Sequence, residues 1–164
     1  MCKTILDILI LVLKYAPDTG YFHWKVDVAR SVPAGSIAGT LSSQNRIRIA
    51  YNGKTYYAHR LAWLFTHGKW PDGVVDHIDG DPSNNKIDNL RDVSVVVNGQ
   101  NRKGSQNNNH TGLLGVGWHK QAGKFQSRIK IGNKLIWLGL FLTAEEAHTA
   151  YLKAKRKYHE GCTI

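Results

Sequence analysis

Hydrophobic and polar positions change their spacing several times along the chain, and each change marks an element. An apolar run from Ile5 to Leu13, interrupted by Asp7 and closed by Lys14, reads as a buried helix. Pro17-Asp18-Thr19-Gly20 reads as a turn and Tyr21 to Val26 as a short strand. After a loop rich in Gly, Ala and Ser, Arg46-Ile47-Arg48-Ile49-Ala50-Tyr51 alternates strictly, and Asn52-Gly53 separates it from Lys54-Thr55-Tyr56-Tyr57. An Asn-Gly pair between such segments predicts a hairpin with a type I′ turn, because both central residues must take positive φ. One face of that hairpin carries Arg46 and Arg48. Ala58 to His67 reads as a helix with Leu61, Leu64 and Phe65 inward, ended by Gly68.

From Val74 to about Asn101 the pattern is a strand, a polar loop over Asp79–Asp88, and a second short strand over Asn89–Val93. Ser94 then caps a helix that carries Asn98 one turn inside. Residues 102–110, beginning Arg102-Lys103, contain no apolar side chain and read as a linker that orders on DNA. Beyond it, Gly115–His119, Lys124–Ile131 and Lys134–Leu138 read as three strands, the latter two meeting at Gly132-Asn133. On the second of them Lys124, Gln126, Arg128 and Lys130 share one face, and Phe125, Ser127, Ile129 and Ile131 the other. Thr143-Ala144-Glu145-Glu146 is a capping box. The helix it opens presents Ala147, Ala150, Tyr151, Ala154 and Tyr158 to the sheet, with Lys153, Lys155, Arg156 and Lys157 at its negative end.

Composition narrows the class. At 164 residues the chain holds one domain or two small ones, and 42% hydrophobic residues argue against wholesale disorder. The net charge of +10 favours a polyanionic partner. It is unevenly spread, at +3 over residues 1–50, −1 over 51–100 and +8 over 101–164. A locally acidic middle between basic ends suits a cation site held between nucleic-acid grips. Two cysteines, Cys2 and Cys162, make neither a disulfide framework nor a zinc ribbon, so a reduced cytoplasmic setting is expected. The N-terminal apolar run is too short to span a membrane and lacks a small-residue cleavage site, so neither a membrane role nor secretion is expected.

The middle segment carries the chemistry. Val75-Asp76-His77-Ile78-Asp79-Gly80 sets a histidine beside a carboxylate, and Asn84, Asn85, Asn89-Leu90-Arg91 and Asn98 follow. Phosphodiester hydrolysis needs a deprotonated water and positive charge near the developing anion. His77 is a natural general base, and Asp76 and Asn98 are oxygen donors suited to a hard cation such as Mg²⁺. Adjacent residues on an extended strand point to opposite faces, so a bulge or sharp turn, helped by Gly80, is expected to bring Asp76 and His77 together. Asn89 is expected to pin the loop through backbone hydrogen bonds. His59 stands between two places, one near this site and one on the DNA backbone.

These residues resemble the HNH nuclease family with its ββα-metal (His-Me finger) fold, particularly the homing endonucleases of phages and introns. The resemblance implies Asp76 as first metal ligand, His77 as general base, Asn89 as the structural central Asn and Asn98 as last metal ligand. An Asn at that last position implies Mg²⁺, or Mn²⁺, rather than a structural zinc. Val95-Val96-Val97, three β-branched residues at the expected helix start, departs from the family pattern.

From Gly115 to Gly161 the chain is similar to the Apetala-type DNA-binding domain of plant ethylene-response factors. The matching stretches are Gly115-Val116, Gly123-Lys124-Phe125, Trp137 to Phe141 and Thr143 to Ala147. The likeness implies a three-stranded sheet in the major groove, with Trp118, His119, Lys120, Lys124, Gln126, Arg128, Lys130 and Trp137 facing DNA. Gly117 stands where the plant pattern has arginine, so sequence specificity does not carry over.

The expected architecture is α+β: a nuclease region over 1–101 with its core at about 55–101, a linker at 102–110, and a sheet-plus-helix domain over 111–164. The expected function is metal-dependent cleavage of double-stranded DNA by a monomer or homodimer, with a DNA-binding regulator carrying an inactive site as the alternative. RNA ranks low as a substrate, since no exposed aromatic stacking sheet is evident.

Overall fold

The computed structural model describes residues 5–101, 104 and 109–163, which form two compact units, one running to Ser94 and the other beginning at Val95. Arg102, Lys103, residues 105–108 and Cys2 lie outside the described residues.

In the first unit, α1 (Ile5–Val12) buries Leu9 and Val12 and exposes Ile10 and Leu11, so only one face of the helix is covered. Lys14 does not stop it. Leu13 already opens β1 (Leu13–Ala16), which pairs antiparallel with β2 (Tyr21–Trp24), Leu13 opposite Trp24 and Tyr15 opposite Phe22. The Tyr15 and Phe22 rings stack at 4.8 Å, and this cross-strand packing draws the chain into sheet. Two short strands emerge from the Gly/Ala/Ser loop. β3 (Ile37–Ala38) adds to β2, and β4 (Thr40–Leu41) adds to the hairpin of β5 (Ile47–Tyr51) and β6 (Lys54–Tyr57). Asn52 and Gly53 take φ of 48° and 71°, as a type I′ turn demands.

α2 (Ala58–His67) ends where Gly68 enters the left-handed region and donates its N–H to Leu64 O. Leu61 and Leu64 are buried as expected, in one core with Leu9, Leu13, Phe22, Trp24, Ile49, Val75 and Leu90, with Phe65 partly buried against it. β7 (Val74–His77) and β8 (Leu90–Val93) form a two-stranded antiparallel sheet. Asn89 falls in the 3₁₀ turn Ile87–Asn89 that leads into β8, not in the strand itself.

The second unit opens with α3 (Val95–Gln100). The three valines do form its first turn, with Val95 and Val96 exposed. β9 (Val116–His119), β10 (Lys124–Ile131) and β11 (Lys134–Phe141) form an antiparallel sheet with β10 central, and α4 (Ala144–Tyr158) packs on it. Both halves of the Thr143/Glu146 capping box are made. Ala147, Tyr151 and Ala154 are buried, whereas Tyr158 is exposed and Lys155 is buried in its place. β11 runs three residues beyond the expected strand. A bulge opposite Ser127/Arg128 leaves Leu138 as the extra residue and packs it against the Ile129 core.

Candidate functional site

The β7–β8 ladder is regular, with Asp76 opposite Arg91 and His77 opposite Leu90 and no shift of register. The expected bulge between Asp76 and His77 is therefore not present. Their side chains go to opposite faces, and the chain turns only after His77, where the Gly80 N–H donates to His77 O at 2.9 Å. Both side chains are buried.

On its face, Asp76 meets the guanidinium of Arg91, whose Nε and Nη2 donate to Oδ2 at 2.9 and 2.8 Å. On the other face, His77 Nε2 lies 3.2 Å from Oδ1 of Asn85, a side chain only 1% exposed. The Asn85 amide donates through Nδ2 to Ser83 O at 3.1 Å, which orients its oxygen toward the imidazole. An amide oxygen only accepts, so Nε2 is the donor, and in the neutral ring the basic lone pair sits on Nδ1. Burial lowers the His77 pKa below the ordinary histidine value and Arg46 adds to this, against the opposing pull of Asn85, Asp79 and Asp76.

The loop between the strands is braced by amides. Asn89 accepts the Asp79 N–H through Oδ1 and donates through Nδ2 to Asp79 Oδ1 and Asn84 O, at 2.9–3.0 Å. Asn84 donates to Asp79 Oδ2 at 2.7 Å. Burial raises the Asp79 pKa, but the hydrogen bonds from Asn84, the Asp81 amide and Asn89 outweigh it and bring it below the ordinary carboxylate value. From β1, the Tyr15 hydroxyl donates to Asn85 O at 2.7 Å. Burial first, then Asp88 and Asp18, push Tyr15 up to about 12, so it stays a donor.

His59 lies at this site. Its ring meets His77 edge-on at 5.2 Å and stacks on Tyr57 at 5.5 Å. Nδ1 of His59 is buried with no hydrogen-bond partner among the described residues. Burial, followed by His77, Arg46 and Arg60, lowers its pKa to about 3. Arg46, expected as a DNA contact, sits 5.9 Å over the Tyr57 ring, beside both histidines. Arg48 lies exposed on β5, opposite Tyr57.

No group of three or more His, Cys, Asp or Glu side chains placed to hold a metal ion occurs among the described residues. The donor chemistry nevertheless fits a cation that takes one or two carboxylates and keeps its waters, as Mg²⁺ does. Asp76 would supply the carboxylate, and the Arg91 guanidinium already draws on one of its oxygens. Asn98 is half-buried on α3, in the second unit.

In the second unit, Lys124, Arg128 and Lys130 are exposed on one face of β10 and Gln126 is half-buried on it. Cross-strand partners share a face, and the register adds His119 opposite Lys124, Trp137 opposite Arg128, Leu135 opposite Lys130 and Leu140 opposite Gln126. Trp118 does not join them. It pairs with Phe125, ring to ring at 4.9 Å, on the other face, because neighbours on a strand cannot both point the same way. Lys120 is exposed in the turn that follows β9. Asn85 and Arg91 both stand within the motif, yet nothing local in the sequence marks a role for either. The opposition of Arg91 to Asp76 becomes visible once β7 and β8 are set in register.

Residues 56–100 match the family described as HNH endonuclease. A stretch of 64 residues is 39% identical to "Protein 3.8" of Escherichia phage T7, covering 38% of this chain and 52% of that protein. The chain thus spans about half the length of that phage relative. No solved structure matches the chain. No helix among the described residues is long and apolar enough to cross a membrane.

Proposed function

We propose that the chain is a DNA endonuclease of the HNH homing type, cutting phosphodiester bonds in duplex DNA to leave 5′-phosphate and 3′-hydroxyl ends. The observation that carries this is His77, a buried imidazole whose Nε2 faces the Asn85 side-chain oxygen at 3.2 Å, an arrangement that makes Nδ1 the basic atom when Nε2 is protonated. Its lowered pKa keeps the ring neutral at physiological pH, the state a general base requires. Nδ1 takes a proton from water as the water oxygen bonds to phosphorus. The bond from phosphorus to the 3′ oxygen breaks, and that oxygen is protonated from solvent.

In this reading Asp76 would offer a carboxylate oxygen to one divalent cation, Mg²⁺ or Mn²⁺, which when bound supplies positive charge for the anion developing at phosphorus. Asn89 keeps the loop in shape and takes no part in the bond changes. The β9–β11 sheet acts as an Apetala-type grip, with Lys124, Arg128 and Lys130 on phosphates and base edges and Trp137 and His119 beside them. One HNH site cuts one strand, so a double-strand break needs a homodimer or two successive encounters. A second reading, a DNA-binding regulator with an inactive site, is favoured by one observation: Asp76 is already neutralised by Arg91.

Supercoiled plasmid incubated with wild type and with His77→Ala, each with Mg²⁺ or EDTA, tests the proposal. Mg²⁺-dependent nicking or linearisation, slowed about 10²- to 10⁴-fold in His77→Ala, is expected. Binding without cleavage, including on plasmid carrying the source genome's own DNA, would refute the nuclease and favour the regulator.

A further inference from the structure

We infer that Asn85 is a positioning residue that selects the tautomer of His77, and that Tyr15 holds Asn85 in place from the β1–β2 hairpin. The rate consequence rests on the nuclease reading above; the tautomer itself does not. Two hydrogen bonds and near-complete burial fix Asn85. Its side-chain nitrogen donates to Ser83 O, its carbonyl accepts the Tyr15 hydroxyl, and its side chain is almost wholly buried. The hairpin turn also presses on the same peptide: a Cβ on Gly20 would lie 2.6 Å from Asn85 C and 2.5 Å from Lys86 N. With φ of 76° as well, no other residue suits position 20.

The amide therefore cannot turn its nitrogen to His77 without giving up Ser83 O. With the oxygen facing the ring, only the tautomer protonated at Nε2 makes the bond. Nε2, which donates this bond, is thereby kept from acting as the base, which assigns proton abstraction to Nδ1. Asn84, the neighbouring residue, does different work, since it bonds Asp79. Tyr15 and Gly20 both lie outside the stretch that matches the nuclease family, so part of the machinery that orients His77 is supplied from beyond it.

The test uses ¹⁵N-labelled full chain without DNA, in chelator at pH 8, and reads the His77 ring nitrogens by long-range ¹H–¹⁵N correlation. Wild type is expected to show a protonated Nε2 and an unprotonated Nδ1. Asn85→Asp, which keeps an acceptor, should retain that pattern, and Asn85→Leu should lose it to a mixture of tautomers. Tyr15→Phe should move both nitrogens part of the way toward the mixture. On plasmid with Mg²⁺, Asn85→Leu and Tyr15→Phe should lower kcat about tenfold or more with KM unchanged, and Asn85→Asp should recover most of it. A proton on Nδ1 in wild type, or an unaltered pattern in folded Asn85→Leu, overturns the inference. Should Asn85→Leu not fold, unmoved nitrogens in Tyr15→Phe overturn it instead. Wild type that never cuts DNA would defeat the nuclease reading, while the spectra would still decide the role of Asn85.

Discussion

Acid should loosen the first unit through His59. The unfolded chain protonates this histidine near 6.5, whereas in the fold its pKa is lowered to about 3, chiefly by burial. Below 6.5 the unfolded state takes up a proton that the folded state refuses, so stability falls as pH falls. The loss runs at about 1.4 kcal/mol per pH unit and continues until the folded pKa is reached. At pH 5.0 it amounts to about 2 kcal/mol relative to neutral pH, a large part of what a small domain has. His77, also lowered, pulls in the same direction. His59→Leu removes the titrating group together with an Nδ1 that has no hydrogen-bond partner among the described residues, in a site 4% exposed. Urea unfolding in chelator, followed through the NMR intensities of α2 amides, isolates this unit at pH 5 to 8. Wild type should lose about one proton's worth of slope more than His59→Leu between pH 6 and 4.5. Parallel curves, or direct titration of His59 near 6, would refute the reasoning.

Two further outcomes follow from the geometry. Arg91→Ala removes the cationic partner of a buried carboxylate and should cost about 3 kcal/mol; adding Asp76→Asn should restore much of it, as a double-mutant cycle by urea unfolding will show. Arg128→Ala and Lys130→Ala should each reduce the salt dependence of DNA binding by about one unit of slope per lost phosphate contact, measured by fluorescence anisotropy across salt concentrations.

What could be read from the chain alone was what is decided locally. Asn52-Gly53 and Gly68 sit at backbone angles that few other residues accept, so the hairpin and the end of α2 follow from those residues themselves. The Thr143/Glu146 box likewise needs only four consecutive residues. Features made by distant partners were not readable. β3 and β4 have two residues each and exist through the strands beside them. Leu13 belongs to a strand because Trp24 lies opposite it, whereas local apolarity alone favours helix there. The motif identified Asp76 and His77, yet the ion pair with Arg91 spans fifteen residues and depends on a register that composition does not reveal. Asn84 and Asn85 are the same residue type side by side, and only the loop's shape gives one to Asp79 and the other to His77. Alternation does exclude Trp118 from the cationic face, but only once His119 is assigned to it.

The dependence of the His77 loop on β1 and β2 bears on how portable the segment that matches the nuclease family is. A fragment cut to begin at Tyr56 would keep every residue the family match covers and still forfeit Leu9, Leu13, Phe22, Trp24, Ala38 and Ile49 from the core beneath it. It would also lose the Tyr15 hydroxyl and the turn at Gly20. Fusing such a fragment to a different domain would transplant Asp76 and His77 without the ground they stand on. A graft that carries residues 5–94 intact keeps the first unit's own footing, with α3 and its Asn98 to be brought along by extending the cut to Gln100.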